Sequence, residues 1–200
     1  MTMPARCLVA LGALLLAACA GPRIRVQVDE AAAMQRLQAR EQALAGVQAW
    51  TLRGRLGVSD GRDGGSGTLE WTQRGDVFRF SVHAPVTGKT WILSGTPSQA
   101  VLSGLRPAPI EGRDARELLA RELDWDVPVA QLVDWVRGRR APGEARVEFR
   151  ADGLPAAITQ DGWRVEFLEY DDSALPLPRR LYASSGSRKV RLAIRAWSVE

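Results

Sequence analysis

From Trp50 onward the chain alternates between apolar and polar positions. The segment 50–58, WTLRGRLGV, puts Trp50, Leu52, Leu56 and Val58 on one side of an extended backbone and Thr51, Arg53 and Arg55 on the other, the two-residue period of a strand. The same pattern places Leu69 with Trp71 in SGTLEWTQRGD, and Phe78, Phe80, Val82 and Ala84 together in DVFRFSVHA. KTWILSG and AVLSG follow after short breaks. Gly75-Asp76 reads as a tight hairpin turn, and residues 60–67 as a longer glycine-rich one.

The period then changes. In GRDARELLARELDW, Asp114 is placed to cap a helix, with Glu117 three residues on as in a capping box. PVAQLVDWVRG starts a second helix at Pro128 and ends at Gly138, with Val129, Leu132, Val133 and Val136 on its apolar face and Trp135 flanking it. Alternation resumes in ARVEFR, LPAAITQ, WRVEFLEY, PRRLYAS and KVRLAIRAW, where Trp163, Val165 and Phe167 share one side. An earlier helix is predicted over 29–46, with Met34, Leu37, Leu44 and Val47 as a modest stripe. The total is ten or eleven antiparallel strands with two helices inserted midway and one in front.

Strands apolar on one side must bury that side. A sheet this long twists and curls, and three helices are too few to fill its concave face. An apolar cavity under the helix that begins at Pro128 is one solution, with Leu69, Trp71, Phe78, Phe80, Trp91, Leu132, Trp135, Trp163 and Phe167 as candidate lining. The same residues also suit a plain core, and a closed barrel filled by its own side chains fits the strand count.

The first residues change the picture from a generic β domain to a secreted one. Arg6 precedes an apolar run over 7–18, too short for a membrane-spanning helix and laid out as a secretory signal. Leu16-Ala17-Ala18-Cys19 matches the bacterial lipobox, in which the Cys19 thiol receives a diacylglyceryl group; an ordinary cut after Ala18 or Ala20 is the alternative. Ala20, where an Asp commonly retains lipoproteins in the inner membrane, points to the outer membrane. The expected organisation is a signal peptide over 1–18, a lipidated tether over 19–28 and a single folded domain over 29–200.

Composition narrows the chemistry. The chain has 200 residues, a net charge of +4, two cysteines and one histidine. Both cysteines, Cys7 and Cys19, precede the folded part, so it holds no disulfide framework, and His83 alone cannot make a multi-histidine metal site. No face-length basic stripe argues for nucleic acid; Arg137, Arg139 and Arg140 read as a solvated helix end. Asp124, Asp126 and Asp134 fit capping and solvated surface better than paired acid–base chemistry, and no phosphate-binding glycine loop is present. Neither an enzyme nor a cofactor or metal is expected.

One stretch resists this plain reading. In SVHAPVTGK, Pro85 and Gly88 shape a turn, and Val86 puts a branched apolar side chain at its tip. It either projects into solvent or folds back on the core.

WTLRGRLGV, SGTLEWTQRGD, APVTGKTW, DWDVPVAQLVDWVRG, QDGWRVEFLEY and LPRRL…VRLAIRAW, in that order and behind the Cys19 leader, resemble the LolB family of outer-membrane lipoprotein receptors. The resemblance covers essentially the whole chain. It implies a mainly β fold, an incomplete antiparallel β-barrel of about 11 strands with covering helices, as in LolA and LolB. It further implies no nucleotide or metal, and an outer-membrane location facing the periplasm. The implied partners are a LolA-like periplasmic carrier, acylated lipoprotein cargo and outer-membrane lipid. The family's protruding loop carries an exposed apolar residue after a proline, usually Leu followed by Gly; the match here is Val86 after Pro85, with Thr87 intervening before Gly88. A cargo with three acyl chains hides about forty methylenes, and at about 0.8 kcal/mol each their passage through water costs on the order of 30 kcal/mol. Val86 contributes only about 1.5–2 kcal/mol on entering lipid, so it can aim the protein but not anchor it. A lipoprotein that binds another apolar ligand without transferring it, as lipocalins do, is the competing reading.

Overall fold

The computed structural model describes residues 29–200. Its centre is one antiparallel sheet of eleven strands. The first five are β1 (Ala49–Ser59), β2 (Gly64–Arg74), β3 (Val77–Ala84), β4 (Lys89–Thr96) and β5 (Gln99–Ser103), each a hairpin neighbour of the last. A short strand, β6 (Ile110–Gly112), ends that half. After the helices come β7 (Arg146–Phe149), β8 (Pro155–Gln160), β9 (Trp163–Tyr170), β10 (Pro178–Ser185) and β11 (Arg188–Val199). β1 and β11 pair at the centre, and the spatial order runs β6-β5-β4-β3-β2-β1-β11-β10-β9-β8-β7. Among the described residues β6 and β7 do not pair with each other, so the barrel is open, as expected, and the closed alternative is ruled out.

The alternating burial of β1, β2 and β3 repeats the sequence pattern, with Trp50, Leu52, Leu69, Trp71, Phe80 and Val82 inward. Two details differ. Strand pairing reaches Gly64, so the turn is confined to residues 60–63, where the Asp60 carboxylate accepts from the Arg62 and Asp63 amides at 2.8 and 2.7 Å. The apolar run of β6 is too short for its period to show. The β1–β11 register slips between Arg53 and Gly54, and a Cβ on Gly54 would stand 2.3 Å from the Ala193 carbonyl oxygen. Only glycine allows that close passage.

The helices are α1 (Glu30–Ala45), α2 (Ala115–Leu123) and α3 (Val129–Trp135). Asp29 and Asp114 cap the first two through their carboxylates. α2 stops at Asp124, whose φ of 56° is left-handed. Pro128 is the cap residue of α3 rather than its first helical position. Trp135 is wholly buried and central to the inner face of α3, not at its flank, because its indole Nε1 donates to Gln160 Oε1 at 3.0 Å. The buried stripe of α1 is Ala33, Leu37, Arg40 and Leu44, while Met34 and Val47 are only partly covered.

Arg40 is the surprise in that stripe, and it overturns the reading of 137–140 as a solvated helix end. Arg40 donates to the backbone oxygens of Gly138 and Arg137, both at 2.9 Å, and to that of Pro176. Arg137 returns to α1, donating to the Leu44 and Val47 carbonyls at 3.2 and 3.4 Å and to Asp134 at 3.2 Å, with Trp50 beneath its guanidinium. Arg140 makes a two-pronged pair with Glu41, the shorter arm 2.7 Å. Helix ends leave carbonyls without intrahelical partners. Here two guanidiniums, each a planar fork of donors, satisfy the ends of α1 and α3 together.

Candidate lipid-binding site

The cavity lies on the concave face, between the central strands and the covering layer of α2, α3 and their linker. Leu56 and Val58 of β1, Leu69 and Trp71 of β2, Phe80 of β3 and Trp91 of β4 form its floor with Leu192 of β11. Leu119, Leu132 and Val136 of the helices and Trp125 and Val127 of the linker form its roof, and no polar side chain lines it. Such a surface offers an acyl chain no hydrogen bonds and repels water. The volume is about 50 Å³. That holds a few water-sized groups, so the expected acyl-sized space is not present between floor and roof as they are packed here.

Five of the nine candidate lining residues, Leu69, Trp71, Phe80, Trp91 and Leu132, are brought together there. The other four are not. Phe78 is buried but faces a cleft at the far end of the sheet, beside Gly75 and Pro97. Trp135 and Trp163 pack on each other, centroids 6.5 Å apart, and Phe167 sits beside Tyr170 at 5.8 Å. They are core residues, since alternation sets which side a residue faces and not which part of that side stays open. Sequence reasoning missed Trp125 and Val127 because they sit in a non-periodic linker; an isolated Trp beside Asp-Val-Pro was the available signal.

The second feature is the β3–β4 loop. Val86 is 94 % exposed, between Pro85 and Thr87, and Gly88 turns the chain with φ of 66°. A fully exposed valine at a proline-shaped tip packs on nothing, so the fold-back alternative does not hold. Val86 shares a shallow groove with Lys189 and Arg191 of β11.

His83 is exposed, its Nδ1 3.0 Å from the Thr90 hydroxyl. Asp126 bridges Arg116 and Arg188, and those charges outweigh its slight burial and hold its carboxyl below the usual range. Asp134 is the opposite case: burial raises its pKa despite Arg139 and Arg137. The described residues contain no cluster of three metal-ligating side chains. Cys19 lies outside the described residues.

A family model, "LolB: Outer membrane lipoprotein LolB", matches residues 48–197. A relative named outer-membrane lipoprotein LolB from Xanthomonas campestris pv. campestris (strain 8004) is 41 % identical over 187 residues, covering 90 % of this chain and 85 % of its own.

This chain belongs to the LolB family.

A LolB from Xylella fastidiosa (strain 9a5c) is 38 % identical over 178 residues, covering 87 % and 82 % of the two chains. Among solved structures, a LolA superfamily protein from Nitrosomonas europaea superposes with a TM-score of 0.52 at 8 % identity, over 82 % of this chain and 93 % of that one. That likeness concerns the fold: an open sheet covered by helices. As a LolB, the chain is an outer-membrane lipoprotein of the Lol localisation pathway. No helix among the described residues is long and apolar enough to cross a membrane.

Proposed function

We propose that this LolB takes acylated lipoproteins from a LolA-like periplasmic carrier and releases them into the outer membrane. Lipidated Cys19 is its own anchor. The cavity under α2 and α3 shelters the acyl chains, and the Val86 loop meets the bilayer. The observation that carries this reading is a roof and floor without a single polar side chain, beneath helices that belong to no strand ladder and can part from the sheet as chains enter. Acyl methylenes then replace roof–floor contacts, so the transfer from carrier to receptor exchanges one apolar surface for another and needs no nucleotide.

The test is a two-step assay with carrier-loaded cargo and receptor in liposomes, scoring carrier-to-receptor and receptor-to-membrane transfer separately. Both steps should proceed. Uptake of acyl chains without release to the membrane would favour a lipocalin-like holder instead, and no uptake would end the proposal.

A further inference from the structure

The cavity has a neighbour on the outside. A shallow cleft lined by Asp60, Lys189 and Arg188 lies against it, and Val58, Trp125 and Val127 line both spaces. The partition between the apolar interior and solvent is therefore one side chain thick. Its outer side opens at the end of the sheet that carries the Val86 loop, since Lys189 also borders the groove shared with Val86.

Trp125 is fitted to that partition. Its ring meets Trp91 edge-on at 5.4 Å. It rests over Gly65 of β2, where an added Cβ would stand 3.0 Å from Trp125 Cζ2. The next residue, Asp126, ties the linker down at both sides, to Arg116 of α2 and to Arg188 of β11. Only the Arg188 pair crosses from the linker to the sheet.

We propose that Trp125 is the portal residue of the cavity, a movable wall latched by Asp126 through which acyl chains pass toward the Val86 end. This rests on the transfer function proposed above. The linker follows the end of α2, where the Trp125 amide donates to the Leu119 carbonyl at 3.2 Å, so it swings out at the cost of that one cap bond and leaves the body of α2 intact. When it does, Trp125 leaves Gly65 and Trp91, and the interior joins the outer cleft on the membrane side. The latch is partly exposed, which keeps it weak enough to open.

The experiment is the liposome assay with a radiolabelled palmitoyl chain on the cargo, timing the receptor-to-membrane step. Three variants loosen the partition from different sides: Trp125→Ala removes the wall, Gly65→Ala crowds its seat, and Asp126→Asn weakens the latch. Asp126→Asn should speed release about two- to fivefold, the scale of a partly exposed ion pair, and Trp125→Ala by roughly tenfold or more, as expected for loss of a large packed side chain. Circular dichroism identifies any variant that fails to fold; Asp126→Asn, isosteric and partly exposed, is the one least exposed to that failure. If folded Asp126→Asn and Gly65→Ala release cargo at the parental rate or slower, the portal assignment is wrong. If the parental protein accepts no cargo, the transfer function itself fails, and the portal with it.

Discussion

At the scale of single residues, Val86 and Arg137 show two ways in which one side chain matters. Val86 touches nothing in the fold. On the proposed function a glutamate there would bring a charge to the membrane, so Val86→Glu should leave cargo acceptance intact and abolish insertion into liposomes. Stability should move by less than about 0.5 kcal/mol, as for other exposed changes. Val86→Leu should insert cargo at least as well as the parental protein. Unchanged insertion by the Glu variant would remove Val86 from the membrane contact. Arg137 is the reverse, 6 % exposed and serving three oxygen acceptors besides Asp134. Burial pushes its guanidinium down to about 10, still charged at neutral pH. Arg137→Ala removes the side-chain donor from the Val47 carbonyl, leaves the Leu44 carbonyl with the Val47 amide alone, and takes a partner from the partly buried Asp134, a loss of about 3 kcal/mol by analogy with other broken buried pairs. Urea unfolding measures it. Lysine should recover little, because one ammonium cannot reach acceptors that a guanidinium fork spans.

At the scale of elements, α1 is held by charge as much as by packing. Burial alone would raise the pKa of Glu41, but hydrogen bonds from Arg140 and the charges of Arg140 and Arg139 outweigh it and hold the carboxyl below its usual value. A carboxyl lowered in the folded state stabilises fully above its unfolded pKa, and that contribution is lost as pH falls through the folded value. Glu41→Gln should therefore be destabilising near pH 7 and nearly neutral at pH 3, which parallel unfolding titrations of the two proteins will measure. A constant difference across that range would show that Glu41 acts by shape and not by charge.

At the scale of the molecule, the sheet and its cover are different kinds of structure. β1 and β11 are bonded on both sides through long ladders. α2, α3 and the linker are held to the sheet by side chains alone, apart from the short strand that precedes them. Local opening follows such differences in backbone bonding. In hydrogen exchange, amides over 115–136 should exchange sooner than those of β1 and β11. Loading with acylated cargo should change protection in the first set and leave the second as it was. Uniform protection, or a change spread over the central strands, would mean that the whole barrel breathes and the cover is not a separate unit.

The chain by itself determined most of its strands, the cap of α2 and the valine at a loop tip. Those features are local: period-two alternation in 50–58 and 77–84, Asp114 ahead of its helix, and Val86 in a turn shaped by Pro85 and Gly88. What only the tertiary structure decided was whatever depended on which face met which. Arg137 reads as part of a solvated helix end, and nothing in the sequence marks Arg40, until folding places helix-end carbonyls within their reach. Phe78, Trp163 and Phe167 share the inward strand periodicity of Trp71 and Phe80, and Trp135 lies on the inner face of α3, yet none of the four lines the cavity, because the open space occupies one part of the concave face. Trp125 lies in a linker with no period at all. Its place in the cavity wall follows from Gly65, sixty positions earlier in the chain, leaving room for its ring. Periodicity reports the direction of a side chain; only the packed chain determines the distance to what it faces.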